Sequence, residues 1–438
     1  MIPAIPPAGG TATVEAAIET GAHAFRRFLK ILGPGFITGA SDDDPSGIGT
    51  YAVAGASLGF ATLWTALVTF PMMAAVQYIC AKIGMVSGRG LAGVLRTNYP
   101  KPLLYVAIFG LVVANTINAG ADIGAIAAAF NLLIPLRISL IVVPVTAFLI
   151  VLQLWGSYRL IATVFKWLTL ALFAYVGSAL LSKPNAIEVL RGTFIPTFSL
   201  DRKFLALFVA ILGTTISPYL FFWQTNQEVE EEIAVGRTTI RSRQGATNAE
   251  LKYAAWDVNI GMFFSNLVMY FIILSTAATL FKAGKTDIQS ATDAAQALRP
   301  LAGNAAEALL AIGLIGAGLL AVPILAGSSA YAVAEALGWK HGLDRQLGKA
   351  KGFYSLIAAS TLLGMALNFI GINPIRALVW SAMINGCLAP VLLCLIMLIS
   401  NEPAVMGKRV NGTAMNWLGW ITTGLMTAAV IGLIATTV

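Results

Sequence analysis

Three consecutive carboxylates, Asp42, Asp43 and Asp44, stand inside an otherwise apolar stretch, ILGPGFITGASDDDPSGIGTYAVAGASLG, and Pro45, Ser46 and Gly47 follow at once. A carboxylate surrounded by hydrocarbon prefers to be neutral unless a cation or several donors meet it. Acids in such a place therefore point to a bound cation or an ion path. Proline has no amide to donate and pushes the residue before it, here Asp44, out of the α region. The helix is expected to break at Pro45, with Gly47 and Gly49 loosening the next turn and freeing carbonyls. A second stretch, FLALFVAILGTTISPYLFFWQTNQEVEEE, repeats the grammar: Ser217 precedes Pro218, and Gly213, Thr214 and Thr215 lie one turn earlier. Freed backbone at membrane depth is tolerated only where it lines a cavity or binds something.

Asp44, the carbonyls near Gly47 and Thr214, and Ser217 would together form an oxygen-only cation site. Hard oxygens suit Mg2+, Mn2+ or Ca2+, whereas softer metals prefer thiolate, thioether or imidazole. The chain has two histidines, His23 and His341, and neither falls in a long apolar stretch. Its three cysteines, Cys80, Cys387 and Cys394, show no metal-ligand spacing and read as small buried hydrophobes. Asp42 and Asp43 lie about 200° and 100° around a helix from Asp44, so all three cannot face one ion. They are expected to cap or gate the broken segment, or to attract cations at its entrance. Asp122, near Asn115 and Asn118, reads equally as a hydrogen-bonded group or as part of the ion path. Asn385 is a further polar residue in an apolar stretch. Glu228, Glu230, Glu231 and Glu232 read as a solvated face, with an acidic exit as the sharper alternative; Phe221, Phe222 and Trp223 read as packing.

The elements that must hold these residues follow from composition. Of 438 residues, 58% are hydrophobic and only 11% charged, and the mean hydropathy is +0.80. A soluble domain carries about 25% charged residues, so soluble enzymes, disordered chains and nucleic-acid binders are excluded and the bilayer is the expected solvent. Eleven stretches of the length a spanning helix needs are read at 31–58, 60–84, 102–133, 137–155, 158–182, 203–232, 254–281, 305–337, 353–371, 374–399 and 414–438. No cleavable signal peptide is expected, because residues 1–30 are rich in Pro, Gly and Ala and then basic. With the N-terminus inside, 18 Lys and Arg fall on the inner side and 9 outside. That bias favours an inner N-terminus and, with eleven spans, an outer C-terminus. The net charge of +8 is thereby explained without nucleic acid.

Broken helices at matching positions of two halves are the best sequence pointer to a transporter's mid-membrane site. Five spans per half is an odd number, so the second half inserts inverted. The expected organisation is an inner segment at 1–30, a first repeat at 31–182, a second at 203–399 and a last helix at 414–438. The fold class is thus an all-α polytopic membrane protein with eleven transmembrane helices, a 5+5 inverted repeat plus one, and helices 1 and 6 broken. No Ser-His-Asp, Cys-His or metal-His set is available in the spans, so an enzyme is not expected. A sodium-coupled organic-solute symporter is a further alternative, disfavoured for anionic substrates by the aspartate cluster.

On Asp44-Pro45-Ser46-Gly47, the Pro218 break and the eleven-span layout, the chain from about 31 to 438 resembles the Nramp family of divalent-metal transporters. The resemblance implies the LeuT-type fold. The family's first motif is Asp-Pro-Gly-Asn, and here Ser46 stands for the Gly and Gly47 for the Asn. Its sixth-span motif is Met-Pro-His, and here Ser217 replaces the Met and Tyr219 the His, with Pro218 kept. Loss of the methionine removes the soft ligand, and the chain is similar to the Nramp-related magnesium transporters, whose site admits a partly hydrated cation. Mg2+ is the implied substrate, with Mn2+ beside it. The family's third-span acidic pair falls on Asn118 and Ala121, next to Asp122. Without that pair or a spanning histidine, passive inward transport by alternating access is expected; a proton-coupled Mn2+/Fe2+ symporter is the alternative. The expected setting is the inner (plasma) membrane of a prokaryote, with a metal ion and lipid as partners, no resident cofactor and no nucleic acid, a monomer being compatible.

Overall fold

In the computed structural model, residues 33–156, 170–288, 290–343 and 345–436 are described, and among them the chain is helical with no strand. The N-terminal segment 1–30 and residues 158–169 of the expected fifth span lie outside the described residues. In chain order the main helices are α1 (Pro34–Asp42), α2 (Pro45–Leu58), α3 (Trp64–Ser87), α4 (Leu91–Asn98), α5 (Lys101–Leu133), α6 (Ile138–Trp155), α7 (Ala174–Leu181), α8 (Ala186–Phe194), α9 (Arg202–Thr215), α10 (Pro218–Ala234), α11 (Asn248–Thr276), α12 (Ala306–Leu337), α13 (Lys351–Leu367), α14 (Pro374–Ser400) and α15 (Thr413–Ala435).

Eight helical stretches among the described residues are long and apolar enough to cross a membrane. The other three expected spans differ for separate reasons. The first is divided between α1 and α2, the fifth falls partly outside the description, and the ninth is the 17-residue α13. Large apolar side chains such as Val106, Phe109, Leu140, Trp155, Leu363 and Ile431 are exposed. On a water-facing surface that much apolar area is unfavourable; in an integral membrane protein it faces lipid tails.

Pro71, Pro144, Pro323 and Pro390 sit inside continuous helices, while Pro45 and Pro218 each open a new one. The residues before the four tolerated prolines are Phe70, Val143, Val322 and Ala389, which offer no polar side chain. Asp44 and Ser217 do. Gly47 and Gly49, expected to loosen the turn after Pro45, instead lie within the regular helix α2. Cys80 is buried as expected, but Cys387 is exposed.

Helices cross most closely where glycines remove the side chain. A Cβ on Gly39 would lie 2.3 Å from the Gly261 carbonyl carbon, so α1 and α11 meet backbone to backbone. A Cβ on Gly213 would lie 2.3 Å from the Gly386 nitrogen, which sets α9 against α14. In lipid, where tails are as apolar as the side chains, such close packing is a main source of helix association. It also places both helix breaks against continuous helices. Gly39→Ala should lower the melting temperature of the detergent-purified protein by several degrees, since overpacking costs about 1–3 kcal/mol. Gly424→Ala, where no atom lies within 4 Å of the added methyl, should leave it unchanged. Equal melting temperatures for the two variants would contradict the packing.

Candidate cation site at two helix breaks

Asp44 is the N-cap of α2. With the extended backbone that a residue before proline favours (φ −69°, ψ 165°), its Oδ1 accepts from the Gly47 amide at 2.7 Å and the Ser46 hydroxyl at 2.8 Å. Its Oδ2 accepts from Asn118 Nδ2 on α5 at 3.0 Å. The carboxylate is therefore held at a defined place although only 1% of the residue is exposed. Asp42 and Asp43 turn to another helix. Ser265 of α11 donates to Asp42 Oδ2 at 2.6 Å and lies 3.4 Å from Asp43 Oδ1. The three adjacent acids are thus divided between α5 and α11.

The second break carries hydroxyls rather than acids. Ser217, at the N-cap of α10, makes no side-chain cap and donates to the Gly213 and Thr214 carbonyls at 3.0 and 2.7 Å. Thr215 Oγ1 donates to the Ile211 carbonyl at 2.8 Å. The carbonyls that the end of α9 would leave open are thereby largely covered from within the segment. Thr214 Oγ1 is buried, and the Tyr51 hydroxyl stands beside it. A Cβ on Gly47 would fall 3.0 Å from Thr214 Oγ1 and 3.3 Å from Asp44 Oδ1, so the two breaks face each other across Gly47. The Tyr51 ring borders the same point at 3.4 Å, and its hydroxyl is buried toward Thr214. Tyr219 of α10 donates to the Ser41 carbonyl at 2.9 Å and so takes one of the open carbonyls ending α1.

Gly47, expected to supply a freed carbonyl, supplies its amide to Asp44 instead. Thr214 presents its side-chain oxygen, and its carbonyl is engaged by Ser217. Asp122 is fully buried, and neither of its oxygens has a hydrogen-bond partner, although the Asp44 charge and the Ser46 amide stand near. Asn385, on α14 beside Gly386, also has both amide atoms unpartnered. Asn118 Oδ1, Asp42 Oδ1 and, on α2, Thr50 Oγ1 are also buried without a hydrogen-bond partner. Buried polar atoms are ordinarily satisfied by protein or ordered water. The carboxylate of Asp44 and the hydroxyl of Thr214, which meet at Gly47, are oxygens of the kind that suit a hydrated cation. Among the described residues no three His, Cys, Asp or Glu side chains converge as a conventional metal centre. A cation here would be met by one well-placed carboxylate, a hydroxyl and water.

Sequence reasoning missed several participants. Ser265 is an ordinary serine in an apolar run, and only folding brings it across 223 positions to Asp42. Asp257 accepts from the Gly35 amide at 2.7 Å and so holds the start of α1. Glu228 and Glu232, expected on a solvated face, are buried, as is Glu335. Glu228 accepts from the Gln224 amide at 2.8 Å, and Glu230 from the Tyr331 hydroxyl at 3.0 Å.

A family model described as "Natural resistance-associated macrophage protein-like" matches residues 35–436. Among solved structures, the chain is similar to the Eremococcus coleocola manganese transporter, in complex there with an aromatic bis-isothiourea substituted compound. The identity is 19%, the match covers 99% of this chain and 88% of that one, and the TM-score is 0.73. It is also similar to MHP1, a nucleobase-cation-symport-1 family transporter with bromovinylhydantoin bound. There the identity is 15%, the coverage 93% and 90%, and the TM-score 0.59. At these identities the likeness establishes the all-helical transporter fold.

The cap has a separable consequence. Asn caps a helix about as well as Asp, whereas Ala costs about 0.5–2 kcal/mol. In metal-free detergent solution Asp44→Ala should melt several degrees below Asp44→Asn, which should match the parent or exceed it. Identical melting for both variants would contradict the capping role.

Proposed function

The chain belongs to the Nramp family, a family of membrane transporters rather than enzymes, and from that premise we propose that it carries divalent cations inward, Mg2+ foremost and Mn2+ beside it. The observation that carries this reading is the meeting of Asp44 with the Thr214 hydroxyl across Gly47. Every donor near that point is oxygen: no thioether or imidazole replaces Ser217 or Tyr219. Mg2+ sheds water reluctantly, and a site of small side chains leaves room for the waters it keeps. Asp44, Gly47, Thr214 and Ser217 are the proposed ion-site residues, with Pro45 and Pro218 setting the breaks. Asp42, Asp43, Asn118, Asp122, Tyr219 and Asn385 are proposed to shape or gate the path.

In this reading α1 with α2, and α9 with α10, are the two discontinuous helices of an inverted 5+5 repeat completed by α15 as the eleventh span. The loop charge bias supports an N-terminus inside and a C-terminus outside, and the proposed setting is the plasma membrane of a prokaryote. The ion moves by alternating access and without a coupled proton. An inside-negative potential alone supplies about 4.6 kcal/mol per divalent ion per 100 mV.

One observation favours a second reading. Asp122, buried with both oxygens unpartnered, could take a proton as the ion binds Asp44, which would make the protein a proton-coupled Mn2+ or Fe2+ symporter. Sealed proteoliposomes with an internal pH dye and a metal panel separate the two. The uniport reading expects Mg2+ and Mn2+ uptake at constant internal pH, and loss of both fluxes in Asp44→Asn. Internal acidification that tracks metal uptake and disappears in Asp122→Asn would establish the symport reading. Uptake unchanged in Asp44→Asn would overturn the site.

A further inference from the structure

Glu335, near the end of α12, is buried and lies far in sequence from both breaks. Its Oε1 accepts from the Gly90 amide at 2.8 Å and its Oε2 from the Gly93 amide at 3.1 Å. Gly90 is the N-cap of α4 and has no side chain with which to cap it. Glu335 therefore supplies the missing cap from another helix, with the charge that a helix N-terminus favours. The fit demands glycine: a Cβ on Gly90 would fall 2.4 Å from both Glu335 oxygens and from Asn226 Oδ1 of α10. One carboxylate thus gathers α12, the start of α4 and α10. Arg96 Nη1 donates to the Glu335 carbonyl at 3.2 Å, and His341 Nε2 stands 3.9 Å from Oε1.

The same seam between α10 and α12 is closed along its length. Ser328 Oγ donates to the Tyr219 carbonyl at 2.8 Å, directly behind the second break. The Trp223 ring lies over Gly327 and edge-on to Tyr331, at 6.3 Å between centroids. Tyr331 in turn donates to Glu230. At the opposite end of the bundle, by contrast, a cavity of about 220 Å³ lies between α2, α5 and α14, reaching Ile48 and Gly49, the two residues after Gly47. A cavity thus borders the α2 side of the break, whereas hydrogen bonds and ring packing join α10 to α12 on the other.

We propose that Glu335 is the latch of the inner gate: it must release the Gly90 and Gly93 amides before α10 parts from α12 and the ion leaves inward. The inference rests on the transporter reading, but its test needs no substrate. Glu335 is a positioning residue here, acting through the seam and not on the ion. Because both carboxylate oxygens are used, Gln at this position keeps one acceptor and turns an amide donor toward the other glycine amide.

The test uses the full chain in vesicles of known orientation, with Cys80, Cys387 and Cys394 replaced by serine and a reporter at Gln224→Cys, buried on α10 beside Trp223 of the seam, or at Ala128→Cys, on the wall of the opposite cavity. Labelling by a membrane-impermeant maleimide is followed from each side. Glu335→Ala and Gly90→Ala break one contact from its two ends. Each should speed inner-side labelling at 224 by roughly tenfold or more, as expected for losing charge-assisted hydrogen bonds, and slow outer-side labelling at 128. Glu335→Gln should fall between. A merely loosened protein would label faster at both reporters, which overturns the latch, as do unchanged rates at 224 in Glu335→Ala and Gly90→Ala. Should Gly90→Ala not fold, Glu335→Gln alone decides: labelling at the parent's rate overturns the proposal. Absence of metal uptake by the parent would count against the transport reading and leave the labelling result intact.

Discussion

A carboxylate can be kept inside an apolar bundle only if its charge is met at a fixed place, and the way Asp44 is met organises the rest of the molecule. Pro45 removes a donor from the helical ladder, so the chain must stop and restart. The Asp44 side chain caps the restarted helix through the Gly47 amide and the Ser46 hydroxyl, while Asn118 reaches in from α5. The break is therefore a defined structure and not a flexible gap. The residue that creates it is also the residue with the charge. In the proposed reading folding and cation recognition share one side chain, which is why the cap and the charge need separate variants to be told apart.

The partner break follows a different economy. Around Pro218 the open ends are covered by Ser217 and Thr215 within their own segment, so this side contributes oxygen without adding charge. Thr214 is the exception, with a hydroxyl that covers no carbonyl of the segment and faces Gly47 and Tyr51 instead. A charged cap opposite a neutral hydroxyl leaves room for one cation with water, and too little ligand for one stripped of it. The glycine contacts between α1 and α11 and between α9 and α14 are what allow the two breaks to approach. In the proposed reading, the geometry of the ion site is thus linked to helix packing about one turn away.

Much of this was legible in the amino-acid sequence because the signals were local. Asp-Pro and Ser-Pro inside apolar runs mark where a helix restarts, and the scarcity of charge announces lipid. What escaped was long-range or orientational. Ser265, Asp257 and Glu335 look unremarkable along the chain, and their roles appear only when α11, α1, α12 and α4 come together. Glu228 and Glu232 looked solvated because they end a span, yet neighbouring helices bury them. Gly47 was read as a source of a carbonyl because glycine and proline together suggest unwinding; the Asp44 cap instead restores the helix at once, and the glycine is needed to admit Thr214. Helix ends shifted by a few residues for the usual reason, that fraying and capping decide them.

The central claim is that one cation binds where Asp44 faces Thr214, keeping part of its water. Crystals of the protein soaked in Mn2+, whose anomalous scattering distinguishes it from water, test this most directly. The account predicts a single strong anomalous peak between the Asp44 carboxylate and the Thr214 hydroxyl, bonded to Asp44 or joined to it through one water, and absent in Asp44→Asn. A peak at another place in the bundle, or one that persists in Asp44→Asn, would contradict it.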